Sequence, residues 1–346
     1  MNITLIYDQN LIYISKLILI ISITYMCDLN ITHLAISGGG MRGVVYIGAL
    51  RYLYLENLHK NITHISGTSI GAFIGLAIAF KLDIEDIEEI LMLAINDEKL
   101  CKIPYKNCIK IITECGLTNI DLLTNHMKDK VNKKYKNLDE NITFSYLAKR
   151  FGVNYYVSTT NIYTCKNKIF CIEDTPDVCV FKACSASMSI PILFKPTKID
   201  EDYYYDGGLT NNLPINIFKN VPYENILGLL IHKNYHKKIV DDVDIPKPKI
   251  SVLFLLKQLI NIYEKKRVKI VMEDHIDHNN IDYYYIPDNY PDIKLMNFEF
   301  KNKGVIMTLT EEMLNNFIYS GFESMSKYIE KRRKKLEEDK NKLNQI

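Results

Sequence analysis

Three short segments of this chain combine residue types that can cleave an ester: Gly38-Gly39-Gly40-Met41-Arg42-Gly43, Gly67-Thr68-Ser69-Ile70-Gly71 and Asp206-Gly207-Gly208. The second has the Gly-x-Ser-x-Gly form of a nucleophile elbow, a serine on a sharp turn between a strand and a helix. Cβ atoms at the flanking positions would clash in such a turn, and Gly67 and Gly71 supply the room. Ser69 is therefore the candidate nucleophile. A helix opening at Ile70 would direct its first N–H groups towards the negative charge that develops there. The glycine run exposes further N–H groups that suit a tetrahedral oxyanion. Gly38, Gly39, Gly40, Arg42 and Gly43 make up that candidate oxyanion hole. Gly39 and Gly40 are the expected donors, and Arg42 adds positive potential or ties the loop to its surroundings. Asp206, fixed beside Gly207 and Gly208, is the candidate base. A carboxylate of ordinary pKa, about 4, is a weak base for a hydroxyl. Oxyanion stabilisation of roughly 3–4 kcal/mol per donor then has to carry much of the rate.

Other chemistries fit these residues less well. Gly38-x-Gly40-x-x-Gly43 also matches the dinucleotide fingerprint, which expects an acid at the end of the next strand. Here that strand ends at Ser66-Gly67-Thr68-Ser69, and Glu56 lies inside a helix instead. A Ser-Asp-His triad would draw its histidine from His232, His236, His275 or His278, none of which sits in a tight-turn context. Glu273, Asp274, His275, Asp277 and His278 invite a metal reading, but no ligand pair falls on a clean helical face. No metal and no organic cofactor is expected.

Positioning such groups requires an α/β frame, and the pattern supplies one. Ile31 to Ile36 reads as a short buried strand, followed by the glycine turn and a helix from Gly43 to Leu58. Ile62 to Ser66 reads as the next strand, and Ile70 to Phe80 as an apolar, small-residue helix fit for burial. Asp83 to Ile95 is amphipathic, with an acid at its start. Residues 100–150 are polar and lysine-rich and read as an insertion that caps or flanks the sheet. Strands are expected over Val153 to Thr160, Lys168 to Glu173, Tyr203 to Tyr205 and Ile226 to Ile231, with a helix ending near Met188. Thr308 and Glu311 form a Thr-x-x-Glu start for a long closing helix whose tail from Lys331 is charged.

Composition adds bounds. The 346 residues are 47% hydrophobic and 24% charged, ordinary for a globular enzyme, and the net charge of +2 does not suggest nucleic acid as a partner. Eight cysteines form no CxxC pair, so buried, reduced thiols in a reducing compartment such as the cytoplasm are expected. Lys16 breaks the apolar stretch just before the run Leu17 to Met26, Asp8 precedes it, and the basic n-region of a secretory signal is missing. The run reads as an extra strand or helix, or as an upstream extension before an internal start at Met26; a membrane anchor or signal is the other reading.

The three motifs, with a fourth, resemble those of the patatin-like phospholipases, lipid acyl hydrolases that use a Ser-Asp dyad. The glycine-rich block is Ser37 to Gly43, the elbow Gly67 to Gly71, and the Asp-Gly-Gly block Asp206 to Gly208, followed by Asn212-Leu213-Pro214. The fourth, Ala-Ser-x-x-x-Pro, is Ala186-Ser187-Met188-Ser189-Ile190-Pro191. Ser37 stands where plant members carry Asp and bacterial-type members also carry serine. The resemblance runs from about Ile31 to Pro214, with the closing helix around Thr310 to Ile329 also similar. It implies a three-layer α/β fold, a central, mostly parallel sheet flanked by helices. It also implies Ser69 as nucleophile, Asp206 as base and the loop from Gly38 to Gly43 as oxyanion hole. The implied substrates are phospholipids or lysophospholipids at a membrane or micelle surface. The expected organisation is an N-terminal extension over 1–30, a catalytic core over 31–233, and a remainder of the same fold over 234–346. A catalytically silent lipid-binding relative is the alternative, and the intact Ser69 and Asp206 argue against it. Substrate choice is expected to lie in the lysine-rich insertion and beyond Lys233.

Overall fold

Short aliphatic, β-branched and tyrosine-rich runs build the strands of this protein. The computed structural model describes residues 29–97, 102–104, 109–136, 138, 141–231, 284–286, 299–301, 304–306 and 310–343, and the site lies in the compact unit Asn30–Lys327. The strands are β1 (His33–Ile36), β2 (His64–Thr68), β3 (Lys102–Pro104), β4 (Gly116–Thr118), β5 (Asn154–Asn161), β6 (Lys166–Phe170), β7 (Ile192–Phe194), β8 (Thr197–Ile199), β9 (Asp202–Asp206), β10 (Ile226–Ile231), β11 (Tyr284–Ile286), β12 (Glu299–Lys301) and β13 (Gly304–Ile306). The main sheet has eight strands. β11, β10, β1, β2 and β5 run parallel in that order, while β6 and β9 join β5 antiparallel and β8 joins β9 antiparallel. Helices cover the parallel part, which explains why β10 is a continuous apolar run. The mostly parallel α/β architecture is the one the motifs implied.

Alternation along β5 divides the core between the two faces of the sheet. Tyr155 faces the Ile70–Ala79 helix, donating its hydroxyl to the Ala72 carbonyl at 2.6 Å. All ten residues of that helix are buried, as its all-apolar composition requires. Tyr156 faces the other way, into a cluster with Ala35, Leu213, Ile215, Phe218 and Leu230. The Val45–Leu55 helix is crossed by the Glu311–Leu343 helix at Gly48 and Gly321. A Cβ on either glycine would strike the other helix's backbone, at the Ile318 or the Val45 carbonyl, so both must be glycine. Tyr52 and Phe322 close the contact edge to face at 5.4 Å.

Several boundaries move for identifiable reasons. The glycine loop first winds into a 3-10 turn, Gly40–Val44, so the helix opens at Val45 rather than Gly43. It ends at Leu55 because Asn57 adopts a left-handed φ of 56°. β2 lies two residues later than the pattern suggested, because Thr68 pairs with Ser158 of β5. The closing helix is capped by Thr310, whose Oγ1 accepts from the Met313 N–H at 3.2 Å; Thr308 lies outside the described residues. The lysine-rich insertion includes the Asp121–Lys134 helix, and Lys130 and Lys134 pair with Asp86 and Asp83 of the Ile84–Asn96 helix at 2.9 and 2.7 Å. Its polarity thus serves helix–helix pairing, worth little per exposed pair.

The described cysteines are free, but Cys115 and Cys165 are exposed where burial was expected; Cys171 and Cys184 are buried. Among the described residues no helix is long and apolar enough to cross a membrane. The apolar run before Met26, the histidines His232, His236, His275 and His278, and the acidic cluster around Glu273 to His278 lie outside the described residues.

Candidate active site

Two strands meet end to end along one edge of β5. Val157 and Ser158 pair with β2 on one side and β6 on the other, while Thr159 to Asn161 pair with β6 and β9. A strand has only two edges, so β2 and β9 share the same one. β2 arrives parallel and ends at Thr68, opposite Ser158. β9 arrives antiparallel and ends at Asp206, opposite Thr159. Consecutive residues on a strand are about 3.3 Å apart, so Ser69 and Asp206 leave the sheet at a single gap. Both are nearly buried, each 6% exposed.

Ser69 occupies the turn between β2 and the Ile70–Ala79 helix with φ 54° and ψ −126°. A left-handed φ is costly for a residue with a Cβ and persists only where the surroundings enforce it. The flanking glycines are part of that enforcement. A Cβ on Gly67 would stand 2.6 Å from the backbone of Ala72, and one on Gly71 would strike the Ile36 carbonyl and stand 2.6 Å from that of Ser37. The Ser69 N–H donates to Ser187 Oγ at 2.9 Å. This strained strand-to-helix turn is the geometry of a nucleophile elbow.

Asp206 is fixed through its main chain before its carboxylate is considered. Its N–H donates to the Ser189 carbonyl at 2.9 Å, and its own carbonyl accepts from Thr160 Oγ1 at 2.9 Å. One carboxylate oxygen, Oδ1, accepts the Gly208 N–H at 2.6 Å. Gly207 lies so close to the Ser158 carbonyl that a Cβ would overlap it. Beyond the turn, the Asn211 carbonyl accepts from both Thr68 Oγ1 at 2.8 Å and Ser158 Oγ at 2.9 Å. The loop carrying Asp206 is thereby tied to the last residues of β2 and β5.

Asn212 joins this loop to the glycine run. Its Nδ2 donates to the Gly38 carbonyl at 3.2 Å, and its own carbonyl accepts the Gly38 N–H at 3.1 Å. Gly38 must be glycine here, since a Cβ would lie 2.6 Å from Asn212 Oδ1 and 3.1 Å from Ser69 Cβ. With its N–H taken by Asn212, Gly38 shapes the loop and, contrary to expectation, has no N–H to offer an oxyanion. The Gly39 and Gly40 N–H groups have no acceptor among the described residues. Arg42 Nε donates to the Gly39 carbonyl at 3.3 Å. Because C=O and N–H point opposite ways across a trans peptide, this bond also fixes the direction of the Gly40 N–H. Gly40 has φ 57°, a conformation open to glycine. Gly43 packs against the Ile70 side chain, with a Cβ there only 2.5 Å from Ile70 Cγ1.

Beneath the loop, Ser37 Oγ and Tyr46 Oη are 2.8 Å apart, Tyr46 also donates to the Ser37 carbonyl, and the Ile231 N–H donates to Ser37 Oγ at 3.2 Å. Complete burial pushes the Tyr46 hydroxyl well above its usual pKa and keeps it a neutral donor. Motif reading assigned no role to Tyr46, Ser158, Thr160, Ser187 or Asn211. Only Ser187 carried a signal, as part of the Ala-Ser-x-x-x-Pro block. Among the described residues no group of three His, Cys, Asp or Glu side chains is gathered as metal ligands.

Comparison with known proteins agrees with this architecture. Residues 34–219, more than half of the chain, match the family model described as patatin-like phospholipase, and the chain belongs to that family. Two viral proteins are 33% identical to it: uncharacterized protein R571 of Acanthamoeba polyphaga mimivirus over 190 residues and probable lipid hydrolase 463L of Invertebrate iridescent virus 6 over 189. These matches cover 55% and 53% of this chain and 62% of each relative, so the chain spans less than two thirds of their length. VipD from Legionella pneumophila has the same fold, with a TM-score of 0.52 at 17% identity over 88% of this chain and 67% of VipD.

Proposed function

We propose that this chain is a lipid acyl hydrolase that cleaves fatty-acyl esters of phospholipids or lysophospholipids through a Ser69–Asp206 dyad. Ser69 Oγ attacks the ester carbonyl carbon while Asp206 accepts the hydroxyl proton. The oxygen of the tetrahedral intermediate takes the negative charge and is held by the Gly39 and Gly40 N–H groups, with Arg42 bracing the loop. Collapse breaks the bond to the alcohol, which leaves with the proton from Asp206, and an acyl-Ser69 ester remains. Asp206 then removes a proton from water, the resulting hydroxide attacks the acyl carbon, and the fatty acid departs as Ser69 recovers its proton. Nothing in this cycle needs a metal or an organic cofactor. The substrate is drawn from a membrane or micelle surface, in a reducing compartment such as the cytoplasm.

The observation that supports this reading most is the meeting of β2 and β9 at adjacent residues of β5, with a strained serine at one strand end and an aspartate at the other. A structural aspartate turn would have no need of a strained serine beside it. Fatty-acid release from phosphatidylcholine vesicles, followed by lipid mass spectrometry, tests the reading. Wild-type protein is expected to release fatty acid, and Ser69→Ala and Asp206→Asn are expected to release none. Release by both variants at the wild-type rate would falsify it.

A further inference from the structure

The Ala-Ser-x-x-x-Pro block has no part in the reaction steps, yet its serine sits against the elbow. Ser187 lies near the end of the Val180–Met188 helix and is wholly buried. Its Oγ accepts the Ser69 N–H at 2.9 Å and donates to the Ser158 carbonyl at 2.6 Å. Thr68 and Ser158 are paired residues of β2 and β5. The hydroxyl therefore stands just past the last rung of the β2–β5 ladder. It passes the bond from one strand's N–H to the other strand's C=O where the chain turns away too sharply for a direct rung.

Ser158 extends this link to the aspartate loop. Its Oγ donates to the Asn211 carbonyl, and its carbonyl, the one Ser187 holds, packs against Gly207. The elbow and the Asp206 turn are thus referred to one carbonyl on β5 through one buried hydroxyl. We infer that Ser187 is a positioning residue for the nucleophile, holding Ser69 in its left-handed conformation and in register with the Asp206 turn. This inference rests on Ser69 as the nucleophile.

Two consequences follow from the bond itself. The Ser69 N–H is occupied, so it cannot serve the oxyanion, and that task falls to the glycine loop. Removing the Ser187 hydroxyl leaves a buried N–H and a buried C=O without a partner and frees the strained turn to relax. Relaxation moves Ser69 Oγ relative to Asp206, while Ser187 itself is wholly buried and presents no surface to a ligand. The defect should therefore appear in the chemical step and not in ligand affinity.

The test is inactivation by a long-chain alkyl fluorophosphonate, resolved into KI and kinact, with folding checked by circular dichroism. Ser187→Ala is expected to lower kinact by about 100-fold, the scale of a misplacement near 1 Å, with KI unchanged. Ser187→Thr keeps the hydroxyl and is expected to recover most of the loss. Ser187→Cys fills the serine's volume but hydrogen-bonds weakly, so it tests the bond even if the alanine variant does not fold; a reduced kinact is expected. Wild-type kinact in folded Ser187→Ala or Ser187→Cys, or equal losses in Ser187→Ala and Ser187→Thr, would overturn the positioning role alone. Modification of Ser69→Ala at the wild-type rate would overturn the nucleophile assignment, and this inference with it.

Discussion

The two ends of the parallel strands are held together by different means. At the carboxyl ends of β1 and β2, small hydroxyls and amides grip main-chain atoms: Ser187 holds Ser69 and Ser158, Thr68 holds Asn211, and Asn212 holds Gly38. At the amino ends, rings stack instead. His33 and His64 lie parallel with centroids 4.3 Å apart, Phe218 meets His33 edge-on at 4.8 Å, and Tyr156 flanks His64 at 6.4 Å. Hydrogen bonds to the backbone are directional and can hold a chain in a conformation it would otherwise leave. Ring stacking excludes water but tolerates small shifts. Strain is accordingly stored at the first end, where α/β sheets carry their ligand sites, and the second end serves stability.

The contrast can be broken most forcefully at Gly71. Gly71→Ala drives a Cβ onto the Ile36 carbonyl and is expected to lower stability by about 3 kcal/mol, the upper range for overpacking, and to abolish hydrolysis. Urea denaturation measures the first and ester turnover the second; a wild-type midpoint would contradict the close approach. Next in size is Asn212→Ala, which removes one of the two side-chain donors to the Gly38 carbonyl, the other being Ser37 Oγ. It is expected to cost about 1–2 kcal/mol together with a clear fall in kcat. Arg42→Gln releases the Gly39 carbonyl, and here kcat should drop while stability stays within about 0.5 kcal/mol of wild type. Equal loss of stability in the Arg42 and Asn212 variants would mean that Arg42 holds the fold and not the oxyanion loop.

The smallest effect belongs to the stacked end and concerns pH. Burial and the neighbouring His64 depress the His33 pKa from 6.5 to about 4, and burial lowers that of His64 as well, opposed by Glu173. Both folded values lie below the unfolded ones. Between pH 6.5 and 4 the unfolded chain therefore binds protons that the folded chain refuses. The contribution is fully present above 6.5 and is lost as pH falls towards 4. Thr32, Thr63, Asn154 and Tyr156 surround the pair and are neutral there. His33→Gln should flatten part of the decline in Tm between pH 7 and 4 while leaving neutral-pH turnover unchanged. Parallel Tm curves for the two proteins would exclude His33 as a source of the acid sensitivity.

What could be read from the sequence follows the same division. Ser69, Asp206 and their glycines were legible because a sharp turn or close approach demands glycine at fixed local spacing. The strand–turn–helix order around Gly38 and Gly67 was legible from periodicity. Ser158 was not, and Ser187 stood in the Ala-Ser-x-x-x-Pro block with no role attached, because a hydroxyl that bonds a main-chain atom far along the chain leaves no local pattern of what it holds. The Ser69–Ser187 bond spans 118 residues, and Thr68 reaches Asn211 across 143. The end of β2 was misjudged for a related reason: pairing with Ser158 draws Gly67 and Thr68 into the strand, although glycine and a turn signal argue locally against it. Tyr46 was not singled out by the pattern, since its buried hydroxyl supports Ser37 only through the tertiary fold.

The central claim is that Ser69 and Asp206 act as one unit across the gap where β2 and β9 meet. Rapid quenching with a long-chain p-nitrophenyl ester, followed by peptide mass mapping, addresses it most directly. The wild-type protein should carry one acyl group on the peptide containing Ser69, and Asp206→Asn should carry none on the same timescale. An acyl group on any other residue, or wild-type acylation of Ser69 in Asp206→Asn, would contradict the dyad.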